Sequence, residues 1–343
     1  MLWTDVIDPA DQTGFARQTA EDYEAAQGTL ARWLPNRTVD DIDVAFTVGD
    51  TGLTEVAEYR SYDAETPIGD TPGGQRVKLE LPPLGRKYRW SEYDQLRSRG
   101  RDSTEAVQAS ADRLTRTAAR AVVDRLELQR GQSLATGKAT IAENEFIANA
   151  DFGRKPEFTF AVDKKWGAGG DPLTDLIAAA ELYSDENGEM PGTILTSTKV
   201  VSALIRSDAL KGLASVGGTV PSILSIEAVN AILGTHGLPA VTTYNRKVQQ
   251  GGRKVRVLPE NNLFFLPAAT DPNAEEGSAL GATFLGTTLE AQDARYNLPQ
   301  ADQPGLVVGA YREDDPLTAW IRSAAIGMPV LANANLSMAI EVL

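Results

Sequence analysis

The sequence predicts an α+β fold, and three patterns support that prediction. Residues 102–131 keep one long helical spacing of apolar side chains. Apolar and polar residues alternate with a period of two at 77–81 and again at 336–342, which is typical of strands. The part from 138 to 257 mixes short helical and extended patterns. At 343 residues the chain is long enough for roughly two domains.

Composition and charge exclude several classes of function. Asp and Glu outnumber Lys and Arg by 47 to 33, and the net charge of −14 disfavours non-specific nucleic-acid binding, which needs clustered cations. The absence of cysteine excludes disulfides, thiolate zinc sites and cysteine nucleophiles. The single histidine, His236, excludes a three-histidine zinc site, and the chain has no G-x-S-x-G turn. No apolar run approaches the ~18 residues that a membrane span needs.

Three further motifs favour ordinary structural roles. His236 follows a helical pattern and is expected in a loop after the helix. The run 131–139 resembles a phosphate-binding loop, but it has five residues between its glycines instead of four and follows a helix rather than a strand. The acidic runs at 40–43 and 313–315 lack the spacing of a calcium loop and are expected to be solvated turns. We therefore expect no catalytic, cofactor-binding or metal-binding residues.

The N-terminal segment predicts a helix on an acidic arm. Residues 1–50 carry ten acids and three bases. Within them Phe15, Tyr23, Leu30 and Trp33 keep helical spacing up to Pro35.

The next segment predicts a long β-hairpin with a loose tip. An outgoing strand is expected at 53–60 and a return strand at 77–81, before two prolines. The tip contains Pro67, Pro72 and Gly73, and the apolar edge of the return strand is Val77, Leu79 and Leu81. A two-stranded ribbon is marginally stable in water, so this one needs a surface from its own chain or from a neighbour.

The strongest helical pattern runs from a capping-box start at Asp102 to a C-cap expected at Gly131. Its ~28 residues imply a length of ~42 Å. Arg113, Arg116 and Arg120 lie together on its polar side, and residues 86–130 carry eleven bases and seven acids. Opposite charges on the arm and on this helix favour contact between them, within or between subunits.

Downstream elements are shorter. Asp171 and Pro172 begin a helix that ends near Gly188, and short strands and helices follow to about Tyr244. Residues 245–257 hold five bases and no acid about a Gly-Gly turn, which predicts a charged surface hairpin; a nucleic-acid patch is less favoured because Tyr244 is its only aromatic neighbour. The alternation at 336–342 predicts a C-terminal edge strand.

A resemblance to a known family rests on the run 120–141, RAVVDRLELQRGQSLATGKATI. It is similar to the end of the spine helix and the following strand in major capsid proteins of lambda-like tailed phages, the capsid protein E family. The similarity continues through Asp151-Phe152-Gly153-Arg154, Trp166 and 171–176, and the closing segment 314–330 resembles the C-terminal strands of that family. Matching motifs are confined to residues 120–176. Over most of the rest of the chain the similarity lies in the order of the elements.

The resemblance implies the tailed-phage major capsid fold, with four expected regions. These are an N-arm at 1–48, an extended E-loop at 49–90, a P-domain at 91–170 and 300–343 built on a long spine helix, and an A-domain at 171–299. It also implies a structural protein that assembles into hexamers and pentamers of an icosahedral shell around packaged double-stranded DNA. An encapsulin-like compartment and a two-domain α/β enzyme with Asp and Glu as acid and base stay open as alternatives.

The same resemblance implies partners and an assembly surface. The expected partners are further copies of the chain, a separate scaffolding protein, a portal protein, a decoration protein and packaged DNA bound without sequence specificity, with no membrane. The expected location is the virion capsid, assembled in the host cytoplasm. Lys78 lies on the E-loop, and a plain strand lysine is favoured there over a crosslinking one. The expected interface residues on the arm, E-loop and helix are Phe15, Trp33, Pro67, Pro72, Gly73, Val77, Leu79, Leu81, Arg86, Lys87, Arg89, Arg113, Arg116 and Arg120.

Overall fold

The computed structural model describes residues 8–49, 74–91, 93, 104–143, 146–215, 220–274, 276–315 and 317–343. The predicted outgoing strand at 53–60, the tip residues Pro67, Pro72 and Gly73, and the helix start at Asp102 lie outside the described residues. The side chain of Val77 is likewise outside this description.

The arm begins with helix α1, Pro9–Gln27, whose first turn is capped because the Asp8 carboxylate accepts from the Ala10 N–H. The helix ends at Gly28 and a 3-10 turn, Leu30–Arg32, follows. The sequence expectation of one helix through Trp33 is therefore wrong after Gln27. Gly28 adopts a positive φ of 75°, which a helix does not continue through.

The long helix α2 spans Thr104–Thr136, 33 residues or ~50 Å. Gly131 was predicted to end it but lies inside it. A Cβ at Gly131 would lie 2.2 Å from the backbone oxygen of Val257, so glycine permits the helix to pack directly on that backbone. The helix ends at Gly137, where φ is +69°.

The remaining elements follow the predicted order. The later helices are α3 (Pro172–Asn187), α4 (Thr198–Leu204), α5 (Asp208–Leu213), α6 (Ile226–Thr235) and α7 (Leu289–Gln292). The strands are β1 (Asn36–Thr38), β2 (Asp43–Gly49), β3 (Gly74–Glu80), β4 (Pro83–Trp90), β5 (Lys138–Glu143), β6 (Phe146–Asp151), β7 (Thr159–Ala161), β8 (Thr193–Thr196), β9 (Val241–Thr243), β10 (Lys247–Gln250), β11 (Arg253–Arg256), β12 (Asn262–Leu266), β13 (Gly281–Gly286), β14 (Val307–Asp314), β15 (Leu317–Leu331) and β16 (Met338–Glu341). Helix α3 has the predicted caps at Asp171 and Gly188.

One five-stranded sheet is organised by the long strand β15. β4 pairs along one edge of β15, β14 and β13 pair along the other, and β1 adds in parallel to β13. Helix α2 packs on this sheet through small side chains, Ala111, Ala118 and Ala119, against Val308 and Ile321. Small residues allow the helix axis to lie close to the strands.

The second five-stranded sheet has the order β7-β16-β12-β8-β9. Its C-terminal strand β16 pairs in parallel with β7 and antiparallel with β12. The predicted edge strand is therefore an interior strand, because strands from two distant parts of the chain lie on both sides of it. A large core joins this sheet to the arm residues Leu30, Trp33 and Leu34.

Among the described residues there are also three two-stranded ribbons, β2–β3, β5–β6 and β10–β11. In the first, Asp43 lies opposite Glu80 and Gly49 opposite Gly74, so the predicted return strand is confirmed and its described partner begins at Asp43. The β10–β11 turn has positive φ at both glycines, as a type I′ hairpin requires, which confirms the charged hairpin. Within the described ranges, no helix has both the length and the apolar character to cross a bilayer.

Candidate functional site

The acidic arm lies along the basic side of α2 within the same subunit. The Arg116 guanidinium lies 5.1 Å from the ring centre of Phe15, and that of Arg120 lies 5.1 Å from the ring of Tyr23. The predicted contact between arm and helix therefore forms inside one subunit. Where the arm leaves the helix, side chains from four parts of the chain meet. This arm–spine junction comprises Glu24, Thr29, Asn36, Asp124, Glu127, Arg130, Tyr244, Arg246 and Thr283.

Arg130 is the centre of the junction and is fully buried. Its Nη1 donates to Glu24 Oε1 at 2.8 Å and to Glu127 Oε2 at 2.9 Å. Its Nε donates to Thr283 Oγ1 at 2.9 Å, and its Nη2 donates to Asn36. Burial opposes the charge, but the carboxylates of Glu24 and Glu127 outweigh it, so the pKa of Arg130 is raised.

Glu127 is also fully buried, and both of its oxygens are satisfied. Oε2 accepts from Arg130 and from the Thr29 hydroxyl at 3.1 Å, while Oε1 accepts from the Leu30 N–H at 2.8 Å and from the Tyr244 hydroxyl. Burial and the Glu127 charge raise the pKa of Tyr244 above its ordinary value. The Glu127 carboxylate thus has four hydrogen-bond donors around it, as a buried polar group requires.

Arg246 connects the base of the β10–β11 ribbon to the end of the arm helix. Its Nη1 donates to the Gly28 carbonyl at 3.0 Å and its Nη2 donates to Asp124 Oδ1 at 3.0 Å. Its guanidinium also lies 4.9 Å from the ring centre of Tyr23. Burial lowers the pKa of Arg246, but the attraction of the Glu127 and Asp124 carboxylates is larger, so the pKa is raised.

The junction fixes the direction in which the arm leaves the helix. After Leu30 the chain crosses β13, where Thr283 donates to the Leu34 carbonyl and β1 pairs with the strand. The ribbon β2–β3 follows directly. Sequence reasoning missed this site, and the one signal for it was a charged pair, Glu127 and Arg130, three residues apart and flanked by apolar helix positions.

The predicted interface residues divide into buried and exposed groups. Trp33 and Leu81 are each only 3% exposed, and the Trp33 Nε1 donates to the Pro267 carbonyl. Leu79 is half-buried against the same core, and Phe15 is half-buried under Arg116. The structure thus uses these four side chains within the subunit, and their part in assembly stays a prediction.

The predicted cations on β4 are exposed and held by neighbouring side chains. Lys87 lies 4.4 Å from the ring centre of Trp320, and Arg86 lies 6.0 Å from that of Tyr88. Arg89 Nη2 lies 3.4 Å from the Thr318 hydroxyl. Lys87 and Arg89 lie on one face of β4, and Arg86 lies on the opposite face with Tyr88 and Trp90, which pack toward α2. Arg113, Arg116 and Arg120 are exposed along α2.

An open groove of about 990 Å³ runs between α2, β4 and the tip of the β10–β11 ribbon. Its walls carry charges of both signs, and Arg125 Nη1 pairs across it with Glu143 Oε1 at 2.9 Å. Arg125 and Glu143 are thus already paired within the subunit.

Other sequence candidates occupy surface positions. His236 is the C-cap of α6, as expected for a loop residue after a helix. Asp40 and Asp41 are exposed in a bend before β2, and Glu313 accepts from the Trp320 Nε1–H. The part of the chain that the structure describes contains no grouping of three potential metal ligands.

Comparison with known proteins gives a family and a fold. The family described as Phage major capsid protein E matches residues 26–342. The candidate capsid protein of a prophage from E. coli CFT073 is 14% identical with a TM-score of 0.60, over 95% of this chain and 99% of that chain. A phage-related protein from Bordetella bronchiseptica RB50 is 14% identical with a TM-score of 0.58, over 96% of each chain. No curated protein matches the sequence.

Proposed function

The chain belongs to the phage major capsid protein E family, and from that premise we propose that it assembles into hexamers and pentamers of an icosahedral shell around packaged double-stranded DNA. It has the tailed-phage major capsid fold and is a structural, non-enzymatic capsid protein. The family and the fold expected from the sequence are confirmed. The family also favours a virion capsid over the encapsulin-like alternative.

One observation supports assembly through the E-loop. The ribbon β2–β3 pairs only with itself among the described strands, while its base is fixed to the subunit through buried Val44 and half-buried Leu79. An isolated two-stranded ribbon is marginally stable, and a neighbouring copy offers the missing surface. Because the arm helix already lies on its own subunit, the ribbon is the segment presented to the neighbour.

The remaining assignments are part of the proposal. We assign residues 1–48 to the N-arm, 49–90 to the E-loop, 91–170 with 300–343 to the P-domain, and 171–299 to the A-domain. A separate scaffolding protein, a portal and a decoration protein are the proposed partners, and assembly takes place in the host cytoplasm. The exposed cations of β4 and α2 are proposed to contact neighbouring subunits.

Electron microscopy of the purified chain tests this function. We expect uniform closed shells, formed by the chain alone or on addition of a scaffolding protein from the same phage. A chain that stays monomeric under both conditions would contradict the proposal. DNA content should then be measured in shells assembled with a portal and packaging enzyme, where full particles are expected.

A further inference from the structure

In each of two ribbons of this subunit, one cross-strand pair places two like charges directly opposite each other. In the β10–β11 ribbon, Lys247 lies opposite Arg256, and the next pair on the same face is Gln249 with Lys254. Val248, on the other face, is buried in the core, so the charged face points to solvent. Like charges in direct cross-strand register destabilise a ribbon, and the described ion pairs give Lys247 and Lys254 no carboxylate within the subunit.

A neighbouring helix enlarges this positive surface. Lys199 Nζ lies 3.5 Å from Glu260 Oε1, and Arg256 Nε lies 2.9 Å from Glu260 Oε2, so two cations share one carboxylate. The basic face therefore consists of Lys199, Lys247, Lys254 and Arg256. With Glu260 included, it has an excess of three positive charges on a chain whose net charge is −14.

The base of the β2–β3 ribbon has the opposite character. Asp43 lies opposite Glu80, and both are exposed. Asp40 and Asp41 are exposed in the bend just before them, and Lys78 is on the next pair of the same face. This acidic base, residues 40–43 with 78–80, has an excess of three negative charges. Among the described ion pairs, none joins it to a cation.

We infer that the basic face of one copy binds the acidic base of a neighbouring copy. The inference rests on the proposed self-assembly and names one of its contacts. The two surfaces are equal and opposite in charge, and their contact offsets a like-charge repulsion in both ribbons. Because the surfaces differ, the contact is head-to-tail, and such contacts form closed rings when the rotation between subunits closes.

Packaged DNA fits the basic face less well. Proteins that bind single strands without sequence preference combine cations with aromatic stacking, and the one aromatic neighbour of this ribbon, Tyr244, is buried with its hydroxyl on Glu127. Duplex DNA requires many clustered cations, whereas the surface around this face belongs to a strongly acidic chain.

Charge reversal with rescue tests the contact. K247E/K254E should raise the subunit concentration at which shells appear about 10-fold, as expected for the loss of two exposed charge pairs. D40K/D43K, which keeps the Asp41 turn, should do the same. Combining all four substitutions should return the threshold to near the wild-type value. Light scattering and electron microscopy measure the threshold, and circular dichroism verifies the fold.

Matched controls separate the contact from net charge. K164E/R206E reverses two exposed cations elsewhere and changes the net charge by the same amount, so it should raise the threshold less than 3-fold. Adding D40K/D43K to that control restores the net charge without restoring the pairing and should not rescue assembly. If charge reversal disturbs the fold, the neutral variant K247Q/K254Q is used instead. It is expected to raise the logarithm of the assembly threshold by about half as much as K247E/K254E.

The outcomes are distinguishable. Wild-type shells with an unchanged threshold in K247E/K254E overturn this inference but not the proposed function. If K247E/K254E forms normal shells that retain less DNA, the inference is also overturned, and the basic face is then a contact for the phosphates of the packaged DNA. A wild-type chain that forms no shells overturns both. Loss of assembly in each pair with rescue by the combination supports the contact.

Discussion

The arm residues of the arm–spine junction lead into the β2–β3 ribbon, yet charged side chains are buried at the junction and exposed on the ribbon. At the junction, Glu127 and Arg130 are fully buried and each makes several hydrogen bonds. At the base of the ribbon, Asp43 and Glu80 are exposed and face each other. The first arrangement is complete within one subunit, and the second is not. From this difference we expect the junction to serve folding and the ribbon to serve association, and variants at each site should separate the two.

Removal of residues 62–74, the predicted tip of the hairpin, should have the largest effect on assembly and little on folding. The variant should give a folded subunit that forms no shells, because the proposed surface for the neighbour is lost. Electron microscopy and urea denaturation of the unassembled subunit measure the two properties. Normal shells from this variant would remove the distinction between the regions.

Loss of the junction cation should have the largest effect on folding. Arg130→Met leaves Glu24 buried without its cation and Glu127 with only Arg246 at 3.9 Å, which is expected to lower the free energy of unfolding by about 3–5 kcal/mol. Arg113→Met, at an exposed position on the same helix, should change it by less than about 0.5 kcal/mol. Equal values for the two variants in urea denaturation would show that the junction is not a folding element.

A smaller effect is expected where α2 packs next to the junction. Gly131→Ala places a methyl group against the Val257 backbone and should destabilise the subunit by about 1–3 kcal/mol. Gly14→Ala in the arm helix meets no atom within 4 Å and should stabilise it by about 0.5–1 kcal/mol. Thermal unfolding of both variants compares them, and a neutral Gly131→Ala would contradict the close approach.

The last expected effect is a dependence of stability on pH above about pH 10. The pKa of Tyr244 is raised by burial and by Glu127, so the folded state keeps its proton while the unfolded chain loses it near pH 10. This contribution to stability is fully present below pH 10 and declines above it, by about 1.4 kcal/mol at pH 11. Tyr244→Phe should remove that part of the decline. Urea titrations at pH 9 and pH 11 measure the free energy of unfolding of both proteins. An equal decline in wild type and Tyr244→Phe would contradict the assignment.

Local signals in the sequence predicted the elements that depend on local chemistry. Asp171 and Gly188 mark the ends of α3 because capping involves only nearby backbone. Gly131 gives a wrong prediction of the helix end, because the glycine is required there by close packing on Val257, more than a hundred residues away. The C-terminal strand was placed at an edge because alternation shows which face is buried but not which strands lie beside it.

The junction was harder to predict than the fold. The resemblance at 120–141 led to the correct family, but it carries no information on what the charged residues of that segment touch. Glu127 and Arg130 find partners in the arm, in the segment before β10 and in β13, and only the folded chain brings these together. The basic hairpin was predicted as a whole, whereas Arg246 is buried in the junction and Lys247 and Lys254 remain at the surface.

Both strands of the β2–β3 ribbon join the same sheet through their neighbours in the chain, which has a mechanical consequence. The outgoing limb is preceded by β1, paired with β13, and the return limb continues into β4, paired with β15. Since β13 is itself paired with β15, a pull by a neighbour on the ribbon is distributed over two rows of hydrogen bonds that share one central strand. Internal pressure on a closed wall would therefore stretch this sheet as a unit instead of peeling a single strand from it.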